Sequence, residues 1–508
     1  MSRENLFSYS QRLAYHAAKR EDALALVFLS AHGDETCFSW RDMNDQVNRY
    51  ARVLSSEGVG QGDVVAFGLR NTPAHIFTTL AIWRLGATTL GLDPSLPGAT
   101  RNGLVERINA RLCIQDTAED GILDRAQLEE RAVSESAAAL PDLVSRPGKI
   151  YTSGGSTGLP KLMADDQPYL RAPGRSWGNV APSLGFRADQ VQLTCAAMSH
   201  NAPLTWTQNG IFEGNTTILM ERFDAERVIE TVERFKVGFL LTVPTMLVRL
   251  LDAMPRDEAG AISAVPLRSL HALYHTAAPC PIWLKQEWID IMGAERVFEM
   301  YGSGENTGQT VITGSEWLAH RGSVGRGFET RLRIRDPSDG RLLGPGELGE
   351  VFMYPDDLAG RSRYLGKGAP EPRRDADGYQ CVGDMGWLDA EGYLYLAGRR
   401  DDVINTGGVK VHPERVEAAL LAHPAIVDAV VFGTEDREWG QAVTALISLS
   451  DPVLIEPPTD LVQFLSNRLE RSEVPKRIRV EASLPRDGFG KIRRKALQMS
   501  ENAALASA

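Results

Sequence analysis

Apolar positions along the first hundred residues follow two different spacings. Apolar residues three or four positions apart predict helices over residues 6–20, 43–54 and 76–85. Short continuous apolar runs lie between these helices and predict buried strands at 23–29, 64–67 and 87–92. A chain that alternates strands with helices is typical of the α/β class, in which helices cover a parallel sheet.

The alternation stops at a polar stretch, residues 116–146, and then resumes until about residue 275. It predicts further strands and helices, at 191–195, 204–212, 216–220, 224–235, 239–243, 246–254 and 270–274. From about residue 324 the strands become shorter and Gly/Pro turns separate them, which predicts a small β subdomain.

A third pattern, of strands and helices in a short α+β arrangement, begins near residue 401. A chain of 508 residues is too long for one ordinary core. We therefore expect a large N-terminal α/β domain, residues 1–400, built from parallel sheets with helices plus the β subdomain. A small, mobile α+β domain, residues 401–508, follows it.

Composition narrows the class of protein further. The net charge of -11 argues against a general nucleic-acid binder. The five cysteines are far apart, odd in number and without metal-ligand spacing, so we expect reduced thiols in a cytoplasmic protein. Neither a signal segment nor an apolar run of membrane-spanning length is expected from the sequence.

A glycine- and hydroxyl-rich stretch follows the short run 148–150. Its glycines leave backbone N–H groups free to point into one concavity, and its hydroxyls and a lysine add donors and charge. This composition is typical of a phosphate cradle, although a flexible surface linker has the same composition. The residues are Ser153, Gly154, Gly155, Ser156, Thr157, Gly158 and Lys161. The stretch lacks the Gly-Lys-Ser/Thr of a Walker loop.

Residues 153–161 resemble the phosphate-loop signature of the adenylate-forming superfamily, which includes acyl-CoA synthetases, peptide-synthetase adenylation domains and luciferases. Four more stretches match this superfamily in the expected order, at residues 301–305, 383–384, 398–402 and 485–491. One glycine-rich loop is weak evidence, but five motifs in order across nearly the whole chain are strong evidence. The acid:CoA ligase branch fits best.

The resemblance implies three small-molecule reactants or cofactors besides the acid: ATP, Mg²⁺ and coenzyme A. It implies that Ser156 and Thr157 contact phosphate oxygens and that Glu305 binds Mg²⁺, for which a carboxylate oxygen is suited. Lys161 would lie at a mobile edge of the loop, and a solvated surface lysine is the alternative.

The nucleotide would bind residues from three of the matching stretches and from one further strip. Tyr301 would stack on adenine, and Asp384 would accept from the ribose hydroxyls unless it is an ordinary turn aspartate. Arg399 would bind the ribose or the phosphates. The other residues expected at ATP are Ala277, Ala278, Pro279, Met300, Gly302 and Ser303.

One position departs from the family's pattern. Gly304 stands immediately before the glutamate, where the family usually has threonine. A hydroxyl that would contact the α-phosphate is therefore missing. Either Ser303 or another donor replaces it, or the pocket is wider at this point.

The family's small domain is used twice, once for adenylation and once for thioester formation. Asp401 matches the hinge, and Lys491 matches the lysine that stabilises charge during adenylation. After rotation, Gly407 and Gly408 would line a narrow tunnel for the pantetheine arm of CoA. Alternatively, Lys491 belongs to a solvated basic run.

The acid would lie beside His200, which we expect to gate or orient the substrate rather than to transfer protons. The remaining residues expected in this pocket are Asn201, Val243, Ala277 and Gly304. The aspartate that pairs with a substrate amine in peptide-synthetase domains is replaced here, so an amino acid is not expected.

The sequence thus predicts an ATP-dependent acid:CoA ligase that acts through an acyl-AMP, with a bulky polycyclic or aromatic acid as substrate and with catalytic roles for Thr157, His200, Glu305 and Lys491. Three alternatives stay open: an acyl-AMP ligase that loads a carrier protein, a luciferase-type oxidase and a catalytically silent binding protein of the same fold. A homodimer is compatible with the sequence.

Overall fold

The computed structural model describes residues 6–119, 122–152, 160–256, 260–358, 360–366, 369, 371–451, 453–486, 492 and 494–506. Seven residues of the predicted phosphate loop, 153–159, lie outside this part of the chain, as does the predicted catalytic residue Lys491.

Several helices begin where a capping side chain or a proline supports the first turn. Ser8 and Ser39 each accept a hydrogen bond from the backbone three residues on, which forms a capping box. The helices are α1 (Tyr9–Lys19), α2 (Trp40–Ser56), α3 (Pro73–Arg84), α4 (Gly98–Ile108), α5 (Arg125–Ser134), α6 (Val180–Ser183), α7 (Asn201–Glu213), α8 (Ala225–Phe235), α9 (Pro244–Ala253), α10 (Ile282–Met292), α11 (Gly314–Ala319), α12 (Pro413–Leu421), α13 (Leu461–Ser466) and α14 (Arg494–Ala506).

The strands are mostly short and apolar. They are β1 (Leu24–Leu29), β2 (Glu35–Ser39), β3 (Val64–Gly68), β4 (Thr88–Gly91), β5 (Leu112–Gln115), β6 (Leu123–Asp124), β7 (Lys149–Thr152), β8 (Leu162–Ala164), β9 (Ser176–Asn179), β10 (Val191–Thr194), β11 (Thr216–Met220), β12 (Phe239–Thr242), β13 (Ala272–His275), β14 (Val297–Gly302), β15 (Gln309–Thr313), β16 (Gly325–Phe328), β17 (Thr330–Arg335), β18 (Gly349–Pro355), β19 (Arg363–Leu365), β20 (Gln380–Leu388), β21 (Tyr393–Arg399), β22 (Ile404–Thr406), β23 (Val409–Val411), β24 (Ile426–Asp436), β25 (Gly440–Leu449) and β26 (Arg477–Val480).

Within the described residues the strands form three sheets. The first has the order β19-β8-β7-β4-β3-β5-β6, and its strands from β7 to β6 are parallel. The second has the order β17-β18-β20-β21-β16-β15-β14-β13-β12-β10-β11-β1-β2, with a parallel centre from β14 to β1. The strands of the predicted β subdomain therefore continue this second sheet, because β21 pairs with β16.

The third sheet, β23-β22-β25-β24 with β26 beside β25, follows the short turn Arg400–Asp402. It has a core of its own, in which Val416 and Leu420 of α12 pack against Val431 and Ile447. The predicted α/β fold, with a large N-terminal region and a small C-terminal α+β region, is confirmed. Among the described residues, no helix is both long and apolar enough to cross a membrane.

Candidate active site

The parallel centre of the second sheet places several predicted site residues at one edge. Strands β10, β12, β13 and β14 are neighbours and run in the same direction. Val243 directly follows β12, and Ser303 directly follows β14. His200 forms the N-cap of α7, in the segment that follows β10. Ligands of open α/β sheets bind at the carboxyl ends of such strands, so this edge is the candidate site.

The predicted adenine strip follows β13. Thr276, which lies between β13 and the strip, donates a hydrogen bond from Oγ1 to the backbone oxygen of Met300 at 2.8 Å and so ties the start of the strip to β14. Ala277 has a φ of 78°, in the left-handed region that non-glycine residues rarely adopt. Ala277 packs against a core cluster that contains Val243 and Met300. Val243, Ala277 and Met300, which were predicted from separate stretches of the sequence, therefore lie in one cluster.

Three residues from the family-like motifs form a connected polar group. The hydroxyl of Tyr301 donates to Asp384, and Nε of Arg399 lies 2.9 Å from the other oxygen of that carboxylate. Asp384 is only 8% exposed, and burial raises its pKa, while the Arg399 cation opposes this shift. In turn, the negative charge of Asp384 raises the pKa of Arg399. The register that opposes Asp384 to Arg399 across β20 and β21 creates this pair.

The backbone and the side chain of Glu305 are both held by one short segment, residues 362–364. The backbone N–H of Ser362 donates to the backbone oxygen of Glu305 at 3.1 Å. The hydroxyl of Tyr364 donates to Glu305 Oε1 at 2.7 Å. Sequence reasoning missed Tyr364, because it lies outside the matching motifs, 59 residues beyond its partner.

The same segment also contacts both ends of the phosphate-loop region. Strand β19 pairs with β8, and β8 pairs with β7, the strand that leads to residue 152. Nζ of Lys161 lies 5.0 Å from the ring centroid of Tyr364. The hydroxyls of Tyr151 and Ser362 are hydrogen-bonded to each other. The two described ends of the loop and Glu305 therefore all contact β19 or Ser362, the residue just before it.

The space next to Gly304 is occupied rather than open. A Cβ atom at residue 304 would lie 3.1 Å from the terminal methyl carbon of Met163 and 3.8 Å from the ring of Tyr151. Ser303, the predicted substitute donor, shares a hydrogen bond with Thr307 at 2.9 Å. The side chain of Met163 therefore lies next to the place that a threonine side chain at residue 304 would take. The structure favours this filled space over a wider pocket.

Large aromatic side chains pack behind the acid side of the site. Trp206 lies on α7, and its ring centroid is 5.0 Å from that of Phe239 and 5.2 Å from that of Tyr274. All three residues are buried in the cluster that contains Val243. These rings therefore form one packed aromatic group beside Val243.

A half-buried lysine, also missed by sequence reasoning, contacts the start of α7. Nζ of Lys149 donates to Asn201 Oδ1 at 2.7 Å and to Thr205 Oγ1 at 2.6 Å. Burial, together with the positive charge of Arg171, lowers the pKa of Lys149 to about 7. Asn201, a predicted pocket residue, is thereby held by a lysine whose pKa lies below its ordinary value.

The predicted hinge and tunnel residues lie just beyond β21. Asp401 is in the turn Arg400–Asp402, and Gly407 and Gly408 form the turn between β22 and β23. A Cβ atom on Gly407 would lie 2.4 Å from the ring of Trp439, so only glycine fits against that ring. A Cβ atom on Gly408 would meet open space.

The donor set of the site suits magnesium bound together with a phosphate ligand. No cluster of three or more His, Cys, Asp or Glu side chains that could hold a metal ion is found in the described part of the chain. Mg²⁺ is commonly held by one or two carboxylates plus substrate phosphates, and Glu305 can supply such a carboxylate.

The Asp384–Arg399 pair, the tyrosine that donates to it and the nearby Glu305 all lie in motifs that match the adenylate-forming class of enzymes. The family described as AMP-binding enzyme matches residues 13–359, and its C-terminal domain matches residues 415–491. The chain belongs to this AMP-binding enzyme family.

Similar proteins extend over nearly the whole chain. The 2-succinylbenzoate–CoA ligase of Bacillus licheniformis is 30% identical over 471 residues, which are 89% of this chain and 92% of that one. The same-named ligase of Bacillus subtilis is 27% identical and covers 97% of this chain and 98% of its own. The solved o-succinylbenzoate CoA synthetase of Bacillus subtilis, in complex with its acyl-adenylate intermediate, superposes with a TM-score of 0.80 at 23% identity, covering 97% and 98% of the two chains.

Proposed function

We propose that the protein is an ATP- and Mg²⁺-dependent acid:CoA ligase. In the first half-reaction a carboxylate oxygen of the acid attacks the α-phosphorus of ATP, the bond from this phosphorus to the bridging oxygen breaks, and pyrophosphate leaves. In the second, the CoA thiol loses its proton and its sulfur attacks the acyl carbon. The bond between the acyl carbon and the phosphate oxygen then breaks, and AMP leaves.

One observation carries this proposal: at the end of β14, Tyr301 donates to the Asp384–Arg399 pair of β20 and β21, and the carboxylate of Glu305 follows just beyond the same strand end. A base, a ribose and a magnesium-bound phosphate would need this order of partners along one ligand. The full-length similarity to curated CoA ligases supports the same reaction.

The chain's own groups have separate tasks in the first half-reaction. Asp384 would accept from the ribose hydroxyls, and Arg399 would hold that carboxylate and contact the ribose or phosphates. Glu305 would hold Mg²⁺, which neutralises phosphate charge when it is bound. Thr157 and Ser156, with the neighbouring loop residues, would bind the leaving phosphates. Backbone N–H groups suit this purpose because they are fixed before the reaction begins.

In the second half-reaction the small domain would present a different face to the active site. We propose the division into residues 1–400 and 401–508, with Asp401 as the hinge. Lys491 would face the α-phosphate during adenylation only. Gly407 and Gly408 would line the pantetheine tunnel during thioester formation.

We favour the aromatic half of the substrate prediction. The named relatives act on 2-succinylbenzoate, an aromatic acid. The packing of Trp206 against Phe239 and Tyr274 places three large rings in the cluster that also contains Val243, a predicted pocket residue. A flat ring would suit the small side chains of Ala277 and Ala278.

The rival with a carrier protein as acceptor differs only in the second half-reaction. A silent binding protein would have no use for the aligned Asp384–Arg399 pair and Glu305. A homodimer and a cytoplasmic location remain predictions.

Acid-dependent release of pyrophosphate from ATP tests the proposal, measured with and without CoA. The acids should include 2-succinylbenzoate, substituted benzoates, fatty acids and a bile acid. We expect release with an aromatic acid, and AMP plus a CoA thioester when CoA is added. Release without a thioester would point to a carrier protein, and no release with any acid would favour the silent fold.

A further inference from the structure

We propose that Tyr364 is a positioning residue for the phosphate end of ATP, which holds Glu305 through its hydroxyl and Lys161 through its ring. This inference rests on the proposed function, because it concerns how one side chain arranges two groups that would bind Mg²⁺ and phosphate. Tyr364 itself need not touch either ligand.

The hydroxyl fixes one oxygen of the Glu305 carboxylate. Tyr364 donates to Oε1 at 2.7 Å, and within the described residues we find no protein donor to Oε2. A carboxylate held at one oxygen keeps the other available to a cation.

The ring of the same tyrosine lies under the phosphate-loop lysine. Lys161 Nζ is 5.0 Å from the ring centroid, within the range of a cation–π interaction. Lys161 is otherwise exposed, and a long exposed lysine would sample many rotamers. The ring therefore restricts where the lysine charge lies before ATP binds.

The backbone around Tyr364 is anchored on both sides. Tyr364 opposes Met163 where β19 pairs with β8, the strand that directly follows Lys161. Ser362 donates from its backbone to Glu305 and shares a side-chain hydrogen bond with Tyr151. Strand β19 thus spans the gap between the end of β14 and the two described ends of the loop.

The Glu305 carboxylate and the Lys161 ammonium group are therefore held at a set distance from each other by Tyr364. Magnesium bound with ATP needs the carboxylate and the phosphate-binding groups at a set separation, because its octahedral coordination tolerates little distortion. Loss of the Tyr364 hydroxyl should therefore weaken ATP binding only when Mg²⁺ is present. Loss of the ring should also weaken Mg²⁺-free binding.

Calorimetric titration of the full-length protein with ATP, at a series of Mg²⁺ concentrations, tests the inference. For Tyr364→Phe we expect the Mg²⁺ concentration that half-maximally supports ATP binding to rise about 10-fold, with Mg²⁺-free ATP affinity unchanged. For Tyr364→Leu we expect the same rise and, in addition, a loss of about 3-fold in Mg²⁺-free affinity. Glu305→Gln should raise the Mg²⁺ requirement at least as much as Tyr364→Phe.

Tyr395→Phe is the matched control. Its hydroxyl also donates to a carboxylate, Asp389 Oδ2 at 3.3 Å, but it lies on β21 in the antiparallel part of the second sheet, away from β19. We expect Tyr395→Phe to leave the Mg²⁺ dependence unchanged. An equal effect of Tyr395→Phe and Tyr364→Phe would overturn the inference, as would an effect of Glu305→Gln without one of Tyr364→Phe.

The remaining outcomes separate this inference from the proposed function. If Glu305→Gln leaves the Mg²⁺ dependence unchanged, the inference fails, while acid-dependent pyrophosphate release by the unaltered protein would still support a ligase. If the unaltered protein releases no pyrophosphate with any acid but the Mg²⁺ shifts appear, the ligase proposal fails and the positioning role stands.

Discussion

Glu350 and Arg400 form an ion pair in which Arg400 Nη1 lies 3.0 Å from Glu350 Oε1. Glu350 belongs to β18, and its side chain is only 3% exposed. On the other side of Asp401, Asp402 pairs with Arg494 of α14 at 3.1 Å. The proposed hinge residue therefore lies between one neighbour held by the second sheet and another held by the C-terminal region.

This arrangement predicts that rigidity at residue 401 separates the two half-reactions. Proline fixes φ and so opposes the backbone change that a rotation requires. For Asp401→Pro we expect acyl-AMP formation to fall less than about 3-fold and thioester formation from supplied acyl-AMP to fall about 100-fold. Asp401→Ala is the control and should retain both rates. Equal losses in both half-reactions of Asp401→Pro would argue against a hinge at this position.

Lys491 and Gly408 should show opposite defects. For Lys491→Ala we expect adenylation to fall about 100-fold or more, because charge that develops in the transition state loses its partner. Thioester formation from supplied acyl-AMP should be retained. Gly408→Leu, at a position with φ of 83° where a Cβ atom meets open space, should retain adenylation and slow thioester formation. Measurement of the two half-reactions separately checks both variants, and identical profiles would contradict the domain rotation.

Removal of the charge of Asp384 should weaken nucleotide binding without moving the surrounding residues. Asparagine has the same shape but is a weaker acceptor, and it leaves Arg399 without its ion pair. For Asp384→Asn we expect ATP affinity to fall about 10- to 100-fold, with the affinity for the acid retained. Calorimetry with ATP and with the acid separates the two. Tyr301→Phe, which removes one donor to the same carboxylate, should show a smaller loss of ATP affinity.

The carboxylate of Glu414 predicts a pH-dependent stability. Arg494 faces three carboxylates, those of Asp402, Glu414 and Glu417, at 3.1, 3.0 and 2.7 Å. Burial raises the pKa of Glu414 to about 7, with the Arg494 cation opposing and the Glu417 charge assisting this shift. One guanidinium cannot neutralise three carboxylates, so Glu414 keeps its proton at mildly acidic pH.

A carboxyl whose pKa is higher in the folded state binds more protons there than in the unfolded chain. Its contribution to folding is therefore largest below pH 4.5, the ordinary value, and is lost as the pH rises to about 7. Glutamine at residue 414 does not ionise. For Glu414→Gln we expect a gain on the order of 2 kcal/mol in the free energy of unfolding at pH 8 and little gain at pH 5. Chemical denaturation at both pH values measures this, and Glu130→Gln, an exposed change on α5, is the control. A gain of equal size at both pH values would contradict the prediction.

Local patterns along the chain predicted most of the elements well. The apolar run at residues 64–67 became β3, and the periodicity at 204–212 lies within α7. Helices α4 and α10 and the C-terminal helix α14 were missed. α4 and α10 lack a side-chain cap on their first turn, so no start signal marks them.

Within the candidate site, residues inside recognisable motifs were predictable, and their partners were not. The Tyr301–Asp384 contact joins residues 83 positions apart, yet both belong to matching motifs. Tyr364, Met163 and Lys149 lie outside motifs and have ordinary local surroundings. Their relevance appears only because β19 crosses to β8 and because β7 packs beside α7.

The sequence by itself determined the α/β class and the order of the motifs, because periodicity and motif residues are local properties of the chain. The reaction class followed from the resemblance of those motifs to the adenylate-forming superfamily. Tertiary structure alone decided that Met163 fills the space beside Gly304, that Tyr364 links Glu305 to Lys161, and that Lys149 holds Asn201. Such relations depend on which strands become neighbours. Neighbours are chosen by the packing of the whole core, which no single stretch of sequence encodes.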